Sequence, residues 1–466
     1  MDRQVRQKPN DDGQLVIASH QGTKTILAKL PIEVLVKIVF SIPDAAEMLA
    51  FLELLRPYVT LGPLEYLYQL GCSMDHDDLW PTLLLCEETL ETLSGTPHEA
   101  IVQYYPNLKI EFEGTEAIEW LRTHLNPRTS IEWCVNDVPA AVENVHFWAN
   151  MRITKASIMI ENETESMWKN LLPRLDHVVA LHVAEEFGNL EDIYAYVAES
   201  KQVTEFEIYS HSGYAIRRSD VVHLIKWFRR QPVKVYESWF TNWSALDWKL
   251  RQECCEVMLN CPTLERLRLS DCYLDDMDFS RFRFSTKSLW LDAFDSDNLV
   301  SLARQLEGSG LKSLSLTDAF DDEGNFEGIK SLLTALPQSS ITILSITEVD
   351  LSNKDWCKLA HLLQKCHLES LEVEIAVMTS ALARSFAKAI QKNRSICEFH
   401  LCKCDIAVEN LKILIRSISD VNRHVQSKQI KWTTLESKKI KDADVRSLEE
   451  FATECGCDFV HDRVLF

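Results

Sequence analysis

Apolar residues recur along this chain on two alternating rhythms. Leu264, Leu267, Leu269, Cys272 and Leu274 follow the pattern LxxLxLxxCxL, with mostly polar and charged residues between them. Alternation across Leu267 and Leu269 predicts a short strand with one buried face. Cys272 then predicts a bend where a small residue turns inward, and Leu274 closes the layer. The alternation returns at Leu289 with Leu291, Leu314 with Leu316, Leu344 with Ile346, Leu371 with Val373, and Phe399 with Leu401. The middle apolar positions Leu267, Leu289, Leu314, Leu344, Leu371 and Phe399 are 22, 25, 30, 27 and 28 residues apart. Between them the period lengthens to that of a helix. Phe326, Ile329, Leu332, Leu333 and Leu336 form one stripe, Trp356, Leu359, Ala360 and Leu363 a second, and Leu411, Leu414, Ile415 and Ile418 a third. Ser352 with Asp355 three residues later marks a helix start. The predicted unit is strand, bend, helix and return.

Such a unit cannot bury its own apolar face, so it is stable only when stacked on copies of itself. The spacing and the LxxLxL core resemble the leucine-rich repeat. Upstream the pattern weakens but continues in Val178–Val183 and Val203–Ile208. Weaker still are Ile110 with Phe112, Trp133 with Val135, Ile158 with Ile160, and Val233 with Val235. The expected fold class is α/β: a leucine-rich-repeat solenoid over 107–440, with parallel strands on the concave face and helices on the convex face. Its uneven spacing predicts uneven curvature. Residues 441–466, with Val445, Leu448, Phe451, Phe459 and Leu465, are expected to form a helix and closing strand that cap the last repeat.

The N-terminal part reads differently. Residues 1–25 show no periodicity and are expected to form a mobile leader. Over 26–68 three short helices are predicted. The first carries Leu30, Val34, Leu35, Ile38 and Ile42 at helical spacing, with Pro31 at its start and Pro43 just after its end. The second carries Met48, Leu49, Leu52 and Leu55, and the third Leu64, Leu67, Tyr68 and Leu70. This cluster is too small to be stable alone, so it must lean on the neighbouring segment or on a partner. Residues 69–106, including the run Leu83-Leu84-Leu85, are expected to be a helical linker. Asp75-His76-Asp77-Asp78 lacks a companion ligand loop and reads as a solvated turn.

The block from Leu30 to Ile38 reads LPIEVLVKI, which resembles the F-box signature LPxExLxxI. The resemblance continues through Ile42-Pro43-Asp44 and Met48-Leu49, and covers roughly residues 27 to 60. Beyond it the family's usual valine-cysteine pair and nearby tryptophan are replaced by Leu54-Leu55-Arg56-Pro57-Tyr58. A small all-α domain followed by repeats is similar to the F-box/leucine-rich-repeat family. That resemblance implies that Leu30, Pro31, Ile32, Val34, Leu35, Ile38, Ile42, Pro43, Met48 and Leu49 dock a Skp-type adaptor, and through it a cullin. The chain would then be the substrate-recognition subunit of an SCF-type (cullin-RING) ubiquitin ligase, performing no chemistry itself. The alternative is a leucine-rich-repeat interaction scaffold or inhibitor without a ligase role, whose first helices only cap the array.

In LxxLxL the residues between the leucines point away from the core. These positions run His182, Glu207, Arg268, Trp290, Ser315, Ser345, Glu372 and His400. His182, Glu207, Arg268, Trp290, Glu372 and His400 are the candidate contacts to a target protein, with Trp290 the candidate hot spot.

Composition narrows the remaining classes. Lys and Arg total 49 against 70 Asp and Glu, a net charge of −21, which is poorly suited to a phosphate backbone, so nucleic acid is not an expected partner. There is no apolar N-terminal signal region and no run of about 18 apolar residues, so no membrane span is expected. Fourteen scattered cysteines fit reduced thiols in the cytoplasm or nucleus. There is no glycine-rich phosphate loop and no CxxC pair, and no cofactor is expected. Cys402-Lys403-Cys404 and Cys455-Gly456-Cys457 with His461 come nearest to a metal pattern. Cys404 already fills a repeat's bend and the second group lacks an evident fourth ligand, so no metal site is expected.

Overall fold

A computed structural model describes residues 30–464, apart from 112–114, 136–142, 162–164, 187, 212, 231, 271–276, 320–324, 424, 426 and 436–440. The leader at 1–25, together with Phe112, Cys272, Leu274 and Leu465, lies outside the described residues. Contacts divide the chain into two units, 1–159 with 166–179, and 160–165 with 180–466.

The first unit opens on three helices, α1 (Ile32–Val39), α2 (Ala45–Leu55) and α3 (Pro63–Gly71). Pro31 stands just before α1, and Asp44 caps α2 by accepting from the Glu47 amide at 2.8 Å. Their buried faces are Leu35, Val36 and Val39; Met48, Leu52 and Leu55; and Leu64, Leu67 and Leu70. The Leu49 side chain of α2 packs into the space that a Cβ at Gly71 of α3 would fill. The cluster leans on the segment after it. Trp80 Nε1 donates to the Ile42 carbonyl at 2.9 Å, and the Phe40 ring lies 4.9 Å from Trp80 and 5.1 Å from Tyr105.

That following segment is not helical throughout. Leu83–Leu85 forms strand β1, paired in parallel with β2 (Asn107–Ile110), with Leu83 beside Leu108 and Leu85 beside Ile110. A run of three leucines carries no period of its own, so pairing with β2 decides its form. The buried residues of β2 are Leu108 and Ile110; of the expected pair, Ile110 is buried and Phe112 lies outside the described residues. β3 (Ser130–Val135) and β4 (Ile153–Glu161) continue the parallel ladder. Asp75 to Asp78 is an exposed single turn that runs into the short helix His76–Leu79.

The second unit repeats strand and helix in chain order. Its strands are β5 (Ala180–Glu186), β6 (Glu205–Ser210), β7 (Val235–Trp239), β8 (Arg266–Leu269), β9 (Ser288–Phe294), β10 (Ser313–Ala319), β11 (Ile343–Thr347) and β12 (Ser370–Glu374). β14 (Glu398–Cys402), β16 (Gln429–Leu435) and β17 (Asp458–Val464) complete the sheet. β13 (Val377–Met378) and β15 (Asp405–Ile406) pair separately, just after the main strands of their repeats. Each main strand pairs in parallel with the next, an α/β arrangement compatible with a solenoid.

Register aligns the core in a row: Leu181, Phe206, Tyr236, Leu267, Leu289, Leu314, Leu344, Leu371, Phe399 and Ile430, all buried. Burying each contributes roughly 1.5–3 kcal/mol, and because each packs on its neighbours the gain requires the stack. The predicted helix stripes are buried as well. Ile329, Leu332, Leu333 and Leu336, then Trp356, Leu359, Ala360 and Leu363, then Leu411, Leu414, Ile415 and Ile418 are buried. Ser352 caps its helix by accepting from the Asp355 amide at 3.2 Å. The C-terminal segment contains the expected helix, Asp442–Cys455, and β17.

Candidate functional site

Two sets of residues bear on function, one in each unit. In the first unit, Pro31, Val34 and Pro43 are exposed, with Val34 at 39%. Leu30, Ile32, Ile38, Ile42 and Leu49 are half-buried. Leu35 at 1% and Met48 at 0% are core residues, so they hold the helices together and, against expectation, do not present a docking surface. The reason is phase: the α1 stripe that turns inward is Leu35, Val36 and Val39, which leaves Val34 on the opposite side.

In the second unit the ladder places the outward residues in one continuous row: His182, Glu207, Glu237, Arg268, Trp290, Ser315, Ser345, Glu372, His400 and Lys431. All of them are half-buried, as expected where the neighbours on either side stand against them. The six residues expected to meet a target therefore share one face.

The centre of this row is built around a cation. The Arg268 guanidinium lies between two indoles, 3.0 Å from the Trp239 ring centre and 3.3 Å from that of Trp290. Each indole is held in turn by a carboxylate. Trp239 Nε1 donates to Glu237 at 3.2 Å, and Trp290 Nε1 donates to Asp292 at 3.0 Å. Burial pushes the Arg268 pKa down to about 10, with Asp292 and Glu237 opposing it, so the group remains a cation at neutral pH. Beside it, exposed Tyr209 lies 6.2 Å from Trp239 and 5.4 Å from exposed Phe240. Phe240 adopts a left-handed backbone conformation, φ 55, which L-residues with bulky side chains rarely occupy. Glu207 joins the cluster through Arg266 at 3.1 Å and through His182 at 3.5 Å.

Trp239, Tyr209, Phe240 and Glu237 were not singled out by the sequence. The signal was obscured on β7, whose inward residues are Tyr236 and Ser238 rather than two aliphatics. Val233 occupies the place of the first leucine, so the strand reads VxxYxS. Aligning that segment on Val233, rather than on Val233 with Val235, would have found Glu237 and Trp239.

The stack makes a spectroscopic prediction. Arg268→Ala is expected to change the tryptophan fluorescence and near-ultraviolet dichroism of the folded chain while costing no more than about 2 kcal/mol of stability. Unchanged spectra would show that the guanidinium does not lie between the two indoles.

The chemistry of this face is that of a protein-contact surface: aromatic rings, one desolvated arginine and a rim of paired charges. Among the described residues, no helix is long and apolar enough to cross a membrane. No protein-family model matches the chain, and no curated protein matches it.

Proposed function

We propose that this chain is the substrate-recognition subunit of an SCF-type ubiquitin ligase, binding a Skp-type adaptor through α1 and α2 and a target protein through the outer face of β5 to β14. The observation that carries the reading is the LPIEVLVKI sequence running into helix α1, with Pro31 and Val34 exposed on it and Pro43 exposed after it, in the same chain as a repeat array with an aromatic-arginine face. The mechanism is positional. Holding a target near a ubiquitin-charged enzyme raises the effective concentration of its lysines and needs no catalytic group in this chain.

A second reading, a repeat scaffold or inhibitor whose helices only cap the array, has its own support. Phe40 and Ile42 pack on Trp80 and Tyr105, just before β1 and β2, as a cap would. Gel filtration of the full chain with a purified Skp-type adaptor separates the two. Co-elution as one complex is expected for a ligase subunit, and separate elution for a scaffold.

A further inference from the structure

The outer face carries a second cluster, away from the aromatic centre. Glu372 on β12 stands directly beside His400 on β14, and Cys402 comes two residues later on the same side of the strand. A carboxylate oxygen of Glu372, a ring nitrogen of His400 and the sulfur of Cys402 all lie within 4.8 Å of one another. His400 Nδ1 is 2.8 Å from Glu372 Oε1, while Ser345 Oγ donates to Glu372 Oε2 at 2.8 Å. His400 Nε2 is buried and makes no hydrogen bond.

The 2.8 Å between Nδ1 and Oε1 is the spacing of two atoms that can share one ion at about 2.0–2.2 Å from each. The Ser345 hydroxyl holds the carboxylate through Oε2 and leaves Oε1 facing the ring. The three donors are nitrogen, oxygen and sulfur. That set suits a borderline-soft ion and is foreign to calcium or magnesium, which take oxygen.

We infer that Glu372, His400 and Cys402 form a binding site for one Zn²⁺ ion, with a fourth coordination position left open on the outer face. The ion would tie two adjacent repeats together. Binding requires the thiolate, so Zn²⁺ replaces the Cys402 proton, which is released to solvent. The neighbouring Lys403 Nζ sits on Glu348 at 2.6 Å and Glu374 at 3.4 Å. The site escapes a search for closely spaced cysteines because it is assembled across two repeats.

The test is zinc titration of the full, chelator-treated chain against an indicator dye, with Cys402→Ser, His400→Gln and Glu372→Gln compared with Cys455→Ser. One saturable site is expected, weakened at least about 10-fold in each of the first three variants and unchanged in the fourth. X-ray absorption of the loaded chain should show one sulfur per zinc. Glu372→Gln keeps the shape of a partly exposed side chain, so it remains informative should Cys402→Ser misfold. Equal affinity in all variants, two or more sulfurs per zinc, or no saturable binding would overturn the assignment.

Discussion

Asn393→Leu is expected to destabilise the chain by about 4 kcal/mol, more than most single core truncations. Asn393 is 0% exposed and its side chain is fully bonded. Its Nδ2 donates to the carbonyls of Leu363 at 2.6 Å and Cys366 at 2.9 Å, and its Oδ1 accepts from the amides of Ser395 at 2.7 Å and Ile396 at 3.0 Å. One side chain thus joins the turn that ends a helix to the turn before β12, one repeat earlier. Arg423, buried as well, adds to the same junction by donating to the Asn393 carbonyl at 3.0 Å and the Ile418 carbonyl at 2.8 Å. Leucine is of similar size, so little cavity forms and the loss reports the orphaned backbone groups, each costing about 1–3 kcal/mol. The denaturation midpoint of the full chain in urea checks this. A loss under about 1 kcal/mol would show that these backbone groups find other partners.

Trp290→Ala is expected to weaken target binding by about 2–4 kcal/mol, roughly 30-fold to 1000-fold. The indole is one wall of the Arg268 stack and is oriented by Asp292, so it is presented as a rigid surface with little entropy left to lose. Ser315, its neighbour in the row, has no comparable contact area, and Ser315→Ala should cost less than about 1 kcal/mol. Proteins that accumulate when the chain is removed from cells supply the target, and direct binding with purified components supplies the numbers. Equal small effects from the two substitutions would mean that the aromatic centre is not where the target docks.

The second unit was legible in the sequence because its core is periodic. Leu267, Leu289, Leu314, Leu344, Leu371 and Phe399 form a continuous buried row, and their intervening residues share the outward face. Legibility failed where the core departs from aliphatics. Ser238 occupies an inward position on β7 and concealed both the strand's phase and the outward Trp239. It failed again at Leu83–Leu85, where three leucines suit a helix or a strand and pairing with β2 decides. On α1 the apolar residues outnumber those one face can bury, so spacing alone could not say that Leu35 turns inward and Val34 outward. The Glu372, His400 and Cys402 cluster depends on register between repeats, which single-strand spacing does not contain.

Whether the N-terminal helices serve a ligase is decided most directly by calorimetric titration of a purified Skp-type adaptor into the full chain and its Val34→Asp variant. Val34 is exposed, so aspartate there should leave the fold intact while placing a charge on the docking face. A ligase subunit should show saturable binding at one adaptor per chain, weakened at least about 100-fold by Val34→Asp with the melting temperature preserved. No binding by the unmodified chain, or equal binding by both, would contradict the proposed role.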